Sequence, residues 1–178
     1  MIKIQLVDDE PHILSALKRL LQPYHWELHL VHDVEAALAA LDEHDYAVIV
    51  SDLKMPKFDG ITYLQFARQR QPNALRMLLS AHGDRHTLMQ AINKAEVHRF
   101  LSKPWQDDEI ESALRGALDL YLLRDENRRL LKQLRDQQSV LYRQREELLR
   151  LEAEHPGLTQ VRRDRDGAVL LEGYNVDY

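Results

Sequence analysis

The sequence predicts an α/β fold, in which a doubly wound parallel sheet carries helices on both faces. Within about the first 118 residues, short apolar or β-branched runs alternate five times with segments of helical amphipathic spacing. Three of the apolar runs end abruptly at a charged residue, namely Asp8, Asp52 and Lys103. Alternation of this kind is typical of a parallel sheet, whose strands deliver polar side chains to one edge.

The five predicted strands are short, and each is followed by a turn or loop signal. They cover residues 2–7, 26–31, 46–51, 76–80 and 99–102. Because each connection holds a helix, the strands should be parallel with right-handed crossovers. We expect the flavodoxin-like order 2-1-3-4-5, whose switch point lies between strands 1 and 3.

The predicted helices have apolar inner faces and recognisable ends. Pro11 falls in a first turn, where its missing N–H costs nothing, and Asp33 is an N-cap. Three acids from Asp107 onward favour the start of the last helix. The helices are expected at residues 11–22, 33–41, 60–71, 84–95 and from 107 onward.

Composition narrows the class of protein. The 178 residues suit one domain with an extension, and no apolar run is long enough to span a membrane. There is no cysteine, and no charged leader precedes the first strand, so we expect a cytoplasmic protein. The net charge is −5, and acids are interspersed among the basic residues of the last third, which argues against nucleic-acid binding.

Four strand ends bring chemically useful groups to the same edge of the predicted sheet. They carry Asp8 and Asp9, then Asp52, then Ser80, and finally Lys103. Neighbouring carboxylates repel unless a cation joins them, and oxygen ligands suit Mg²⁺. A carboxylate can also attack phosphorus, with a lysine and a hydroxyl stabilising the phosphoryl oxygens. Each residue alone fits a helix cap, a loop or the surface, but together they favour a functional site.

These positions resemble the receiver domain of bacterial two-component response regulators. The motifs that carry the resemblance are Val7-Asp8-Asp9-Glu10, Asp52 to Gly60, Ser80-Ala81 and Phe100 to Pro104. The resemblance implies that Asp52 accepts a phosphoryl group from a histidine kinase or a phosphotransfer protein. Such a chain would be a signalling module rather than an enzyme, with only self-phosphorylation and self-dephosphorylation chemistry.

The resemblance also implies a Mg²⁺ site beside the phosphorylation site. Asp9 and Asp52 would bind the ion directly, together with the backbone carbonyl of Lys54, and Asp8 would act through a water. Lys54 and His82 flank the site, at positions that tune acyl-phosphate hydrolysis in such domains.

Three further roles follow from the resemblance. Lys103 would pair with the phosphoryl group, Ser80 would move toward it, and Phe100 would rotate inward in a coupled switch. The peptide bond before Pro104 is expected to be cis, which helps to aim the lysine.

The last helix should continue into a coiled coil. No proline occurs from residue 106 to 154, and leucine fills seven of the ten a and d positions, with Gln137 and Gln144 at two others. Asn127 at an a position favours a parallel, in-register homodimer. A lone solvated helix, or one folded back on its own receiver, is the alternative. The predicted seam consists of Leu120, Leu123, Asn127, Leu130, Leu134, Leu141, Leu148 and Leu151.

The sequence therefore predicts three parts: a receiver at 1–119, a coiled-coil helix at 120–154 that continues the last receiver helix, and a tail at 155–178. An Asp166-Gly167 turn between two β-like runs suggests a hairpin in the tail. We expect signalling through the dimer to a protein partner, whose identity the sequence does not give. The alternative is the regulatory N-terminal part of a larger response regulator whose enzymatic or AAA+ effector domain is absent.

Overall fold

The computed structural model describes residues 2–56, 58–81, 89 and 93–156, and it divides into two compact units, residues 1–126 and residues 127–178. The strands are β1 Lys3–Val7, β2 Glu27–Val31, β3 Val48–Asp52, β4 Leu75–Ser80 and β5 Arg99–Ser102. The helices are α1 Pro11–Leu21, α2 Val34–Glu43, α3 Gly60–Arg70 and α4 Asp107–Glu154, with a 3₁₀ turn at Gln22–Tyr24.

The five strands form one parallel sheet in the order β2-β1-β3-β4-β5, which confirms the predicted topology. The register aligns the carboxyl ends of the strands, since Val7 pairs with both Val31 and Ser51. Ser80, the last residue of β4, pairs with Ser102, the last residue of β5. The side chains that follow these ends therefore share one edge of the sheet.

Each face of the sheet has its own apolar core, so the prediction of helices on both faces is also confirmed. On one face, residues of β1, β3 and β4 pack against α1 and the first three turns of α4, with Leu14, Leu17, Ile110, Leu114 and Leu118 buried. On the other, Ile49 and Leu78 pack against buried residues of α2 and α3 that include Ala37, Leu41, Ile61, Leu64 and Ala67.

Most of the predicted helix boundaries agree closely with the structure. Asp33 caps α2 by accepting a hydrogen bond from the Ala36 N–H at 2.8 Å. The cap of α3 is Asp59, whose carboxylate accepts from the Thr62 N–H at 2.8 Å. Residues 93–95 are helical, but most of the predicted fourth helix lies outside the described residues, as does the predicted hairpin beyond residue 156.

Helix α4 continues without a break from Asp107 to Glu154. The helix is therefore continuous across residue 120, where the predicted coiled coil begins. Within the described part of the chain, no helix has the length and apolarity required to cross a bilayer. The division into receiver, coiled coil and tail stays a prediction.

A buried glutamine ties the end of α2 to the start of β3. The Gln71 side-chain amide donates to the Leu41 carbonyl at 2.7 Å and to the His44 carbonyl, and its oxygen accepts from the Tyr46 N–H at 2.9 Å. The last carbonyls of a helix have no hydrogen-bond partner within the helix, and a buried carbonyl cannot bond to water instead. The Gln71 amide supplies the missing donor to the Leu41 carbonyl.

Replacing Gln71 with leucine is expected to lower the free energy of unfolding by about 2–3 kcal/mol, because buried backbone groups would lose their partners. Urea unfolding followed by circular dichroism measures this change. Gln69→Leu is the matched control, since Gln69 is exposed in the last turn of α3 and should change stability by less than about 0.5 kcal/mol. Equal losses in the two variants would show that the Gln71 hydrogen bonds contribute nothing specific.

Candidate functional site

Three charged side chains meet at the carboxyl edge of the sheet. Asp8 follows β1, Asp52 ends β3 and Lys103 follows β5. The Lys103 Nζ atom lies 2.7 Å from Asp8 Oδ2 and 2.6 Å from Asp52 Oδ1. The side chain of Lys103 is 12% exposed, that of Asp8 is 1% exposed and that of Asp52 is 8% exposed. A largely buried ammonium group therefore bridges two buried carboxylates.

Backbone N–H groups hold the other two carboxylate oxygens. Asp8 Oδ1 accepts from the Glu10 N–H at 3.0 Å, and Asp52 Oδ2 accepts from the Lys54 N–H at 2.7 Å. Both oxygens of Asp52 are thus engaged, one by a cation and one by a peptide group. This arrangement fixes the direction in which the Asp52 carboxylate points.

The titration of this cluster reflects a balance between burial and pairing. Burial raises the pKa of the Asp8 carboxyl, and the hydrogen bond from Lys103 offsets only part of that effect. Burial alone would lower the pKa of the Lys103 ammonium, but its hydrogen bonds to Asp52 and Asp8, together with the negative charges of these two residues, outweigh burial and raise it. Lys103 is therefore charged at neutral pH.

The cluster opens into a cavity of about 460 Å³. Ser80 Oγ is buried there and has no hydrogen-bond partner among the described residues. A buried hydroxyl without a partner is costly, so this atom is ready to bind an oxygen of a ligand. The cavity is lined by Glu10, Asp52, Leu53, Lys54, Ser80, Ala81 and Lys103.

Gly60 lets helix α3 start directly against the end of β3. Its N–H donates to the Leu53 carbonyl at 2.9 Å, and a Cβ atom added to it would lie 1.8 Å from the backbone oxygen of Asp52. The Ser51 hydroxyl donates to that same oxygen at 2.9 Å. The sequence pattern indicates Gly60 only as a helix start and gives no role to Ser51, because the close approach depends on the position of a helix.

The remaining predicted residues lie around this cluster. Asp9 is half-exposed next to Asp8, and Phe100 is half-buried against the core beneath α2 and α3. The Lys103–Pro104 peptide bond is cis. His82 lies outside the described residues.

The chemistry of the donors suits a hard divalent cation. Asp8, Glu10 and Asp52 place three carboxylates within 4 Å of Lys103 Nζ, which leaves a surplus of negative charge around that lysine, and oxygen donors are those that Mg²⁺ prefers. Among the residues that the structure describes, no three His, Asp or Glu side chains converge as a ready metal cluster. Lys103 Nζ lies between the Asp8 and Asp52 carboxylates.

Comparison with known proteins agrees with this geometry. The family model of the response regulator receiver domain matches residues 4–115. The solved signal receiver domain of an HD domain-containing protein from Pseudomonas fluorescens Pf-5 is 38% identical, with a TM-score of 0.65, and the match covers 67% of this chain and 96% of that one. The beryllofluoride-activated NtrC4 receiver domain dimer is 27% identical, with a TM-score of 0.64, covering 68% of this chain and 99% of that one.

Among curated relatives, the hydrogenase transcriptional regulatory protein HoxA of Cupriavidus necator is 30% identical over 138 residues. The match covers 78% of this chain but 28% of HoxA. The chain thus spans about a quarter of the length of that relative. With five parallel strands in receiver order, an acid–lysine cluster at their carboxyl edge and a family match over residues 4–115, the chain belongs to the response regulator receiver domain family.

Proposed function

We propose that Asp52 accepts a phosphoryl group from a histidine kinase or a phosphotransfer protein, and that the chain passes this signal on through a dimeric coiled coil. The observation that carries the first part is the Lys103 bridge to Asp52, inside a cavity that also holds the unpartnered Ser80 hydroxyl. These groups supply a nucleophile, a cation and a hydrogen-bond donor around one space.

The transfer step is a displacement at phosphorus. An oxygen of the Asp52 carboxylate attacks, the P–O bond forms, and the P–N bond to the donor histidine breaks. The bonding electron pair leaves with the imidazole nitrogen, which is then protonated. Lys103 exchanges its contact with the Asp52 carboxylate for the phosphoryl oxygens, and Ser80 Oγ donates a hydrogen bond to them.

Asp8, Asp9, Asp52 and the Lys54 backbone carbonyl would hold Mg²⁺ in this proposal. The ion supplies charge neutralisation for the incoming phosphoryl group. The residues themselves fix Asp52 in place, since the Lys54 N–H and Lys103 restrain its two oxygens.

Incubation with acetyl phosphate and Mg²⁺ should add one phosphoryl group to the chain, as measured by intact mass spectrometry. Asp52→Asn should abolish this mass gain, because an amide does not form the acyl phosphate. Asp45→Asn is the control, since Asp45 is an exposed aspartate shortly before β3, and this variant should react like the wild type. An undiminished gain in Asp52→Asn would mean that another residue is the acceptor.

The dimer proposal rests on the exposed leucines of α4. Large apolar side chains that line one face of a helix require a partner surface. Five residues at the proposed a and d positions are exposed in the single chain, namely Leu123, Leu130, Leu134, Leu141 and Leu148. The similar NtrC4 receiver domain is itself a dimer in its beryllofluoride-activated form, which supports dimerisation but not the coiled coil.

Light scattering should give a dimer mass for the wild type and a monomer mass for Leu130→Lys/Leu134→Lys, because two charges per chain cannot be buried in the seam. Leu122→Lys is the control, since Leu122 is exposed at a c position outside the seam. This variant should stay dimeric. A dimer that survives the seam substitutions would place the interface elsewhere.

A second candidate follows from the share of HoxA that the chain covers, 28% of its length. In this alternative, the chain is the regulatory part of a larger response regulator with an effector domain beyond Tyr178. Sequencing of the gene downstream of the Tyr178 codon tests it, because an open reading frame that continues would favour it and a stop codon would reject it.

A further inference from the structure

Helix α4 carries a second surface, whose residues are not part of the proposed a and d seam. We define the e/b flank as Leu131, Arg135, Gln138, Tyr142, Arg145 and Leu149. Their spacing alternates between four and three residues, which puts them on one face of the helix. In the heptad of the proposed coiled coil they occupy e and b positions, and b positions point away from the partner helix.

The e/b flank combines apolar and cationic side chains. Leu131, Tyr142 and Leu149 are 54%, 65% and 61% exposed, which is high for side chains of this size. Arg135 and Arg145 form no ion pair with any residue that the structure describes, and the six positions include no acid. The flank therefore presents three apolar groups beside two uncompensated positive charges.

The opposite flank, at c and g positions, differs in charge. From Arg129 to Glu154 it contains both arginines and acids, so that its charges largely cancel. Arg150 forms an ion pair with Glu154 at 3.1 Å, and the Arg143 side chain donates to the Ser139 carbonyl at 3.4 Å. The c and g residues from 136 onward are Asp136, Val140, Arg143, Glu147, Arg150 and Glu154.

We propose that the e/b flank binds an acidic amphipathic α-helix of a partner protein. Leucine side chains of that helix would cover Leu131, Tyr142 and Leu149, and its carboxylates would pair with Arg135 and Arg145. The flank extends over about 18 residues from Leu131 to Leu149, or about 27 Å, which is the length of a five-turn helix. The proposal rests on the coiled coil proposed above, because its seam leaves the b positions uncovered and places the e positions at its edge.

Two other occupants fit the flank less well. Duplex DNA carries about one negative charge per 1.7 Å, far more than two arginines spread along this helix can match, and it offers no cover for exposed leucines. A second copy of the flank would bring arginine against arginine. An acidic apolar helix satisfies the charges and the apolar surface together.

Fluorescence anisotropy with the full chain tests the proposal. The probe is a labelled helical peptide of about 18 residues with leucines along one face and glutamates on both sides of them. We expect saturable binding, weakened at least about tenfold in Arg135→Glu/Arg145→Glu, since each attractive pair becomes repulsive. Arg143→Glu/Arg150→Glu is the matched control, because it makes the same charge change on the opposite flank of the same helix. It should weaken binding by less than about twofold.

A peptide with serine in place of leucine should not bind, because charge alone does not cover the apolar groups. Equal weakening in the two arginine pairs would overturn the proposal, as would tighter binding of labelled duplex DNA than of the peptide. Light scattering on the same samples separates the two proposals. A dimeric chain that does not bind the peptide rejects the docking surface only. A monomeric chain rejects the coiled coil, and the docking surface then stands only if Arg135→Glu/Arg145→Glu weakens binding more than Arg143→Glu/Arg150→Glu.

Discussion

Lys103→Met is expected to lower the free energy of unfolding by about 3–5 kcal/mol at pH 7, because it leaves two buried carboxylates without their shared cation. Asp8 and Asp52 both contact Lys103 Nζ at 2.7 and 2.6 Å and are almost completely buried. Urea unfolding followed by circular dichroism, without Mg²⁺, measures this loss. Addition of Mg²⁺ should restore part of the stability, since it supplies another cation to the same oxygens.

The loss of stability in Lys103→Met should depend on pH. Burial already raises the pKa of Asp8, and removal of the Lys103 hydrogen bond removes a factor that lowers it. A carboxyl whose folded-state pKa exceeds its unfolded value contributes stability that is complete below a pH of about 4 and is lost as the pH rises through the folded pKa. The stability that Lys103→Met loses relative to the wild type should therefore be small near pH 4 and grow toward pH 7.

Lys54→Met provides the control for the Lys103 substitution. Lys54 also lines the cavity, but its side chain is exposed and its hydrogen bond to Asp52 comes from the backbone N–H. Its replacement should change stability by less than about 0.5 kcal/mol. If Lys103→Met lost the same amount at pH 4 as at pH 7, the lysine would contribute packing rather than charge compensation.

The fold was predictable because its elements carry strong local patterns. The run before Asp52 is apolar and bounded by a loop, and Asp33 is followed by a helical apolar face, so neither depends on distant contacts. The meeting of Asp8, Asp52 and Lys103 followed from these local patterns together with the predicted strand order. Once strand order and direction are known, residues after the strand ends must share one edge.

Other features of the site depend on long-range packing that no local pattern encodes. The partners of Gln71 are backbone groups of residues 41, 44 and 46, so its side chain looks like any polar residue at a helix end. The sequence predicted that Asp8, Asp52 and Lys103 meet at one edge, but not that Lys103 contacts both carboxylates directly. These contacts depend on side-chain direction, which residue spacing does not determine.

The heptad pattern of α4 likewise predicts the length of the helix but does not identify the surface that covers its leucines. It predicted a long continuous helix, and the structure has one from Asp107 to Glu154. The same leucines would suit a second copy or another protein, because an apolar stripe specifies burial without specifying what buries it. The dimer therefore needs the seam substitutions as evidence.

Gly60→Ala is expected to destabilise the receiver by about 3 kcal/mol or more, at or beyond the upper end of ordinary overpacking. The added Cβ would lie 1.8 Å from the Asp52 backbone oxygen, and neither the end of β3 nor the start of α3 can move without disturbing the other. Because the clash is with Asp52 itself, phosphoryl uptake from acetyl phosphate should slow together with the loss of stability.

Gly116→Ala makes the same chemical change in the interior of α4, where an added Cβ meets nothing within 4 Å. There, alanine should raise the free energy of unfolding by about 0.5–1 kcal/mol, through its higher helix propensity. The two variants should thus change stability in opposite directions in urea unfolding. A Gly60→Ala protein as stable and as reactive as the wild type would show that α3 does not need its close approach to β3, and that Asp52 is held in place by Lys103 and the Lys54 N–H alone.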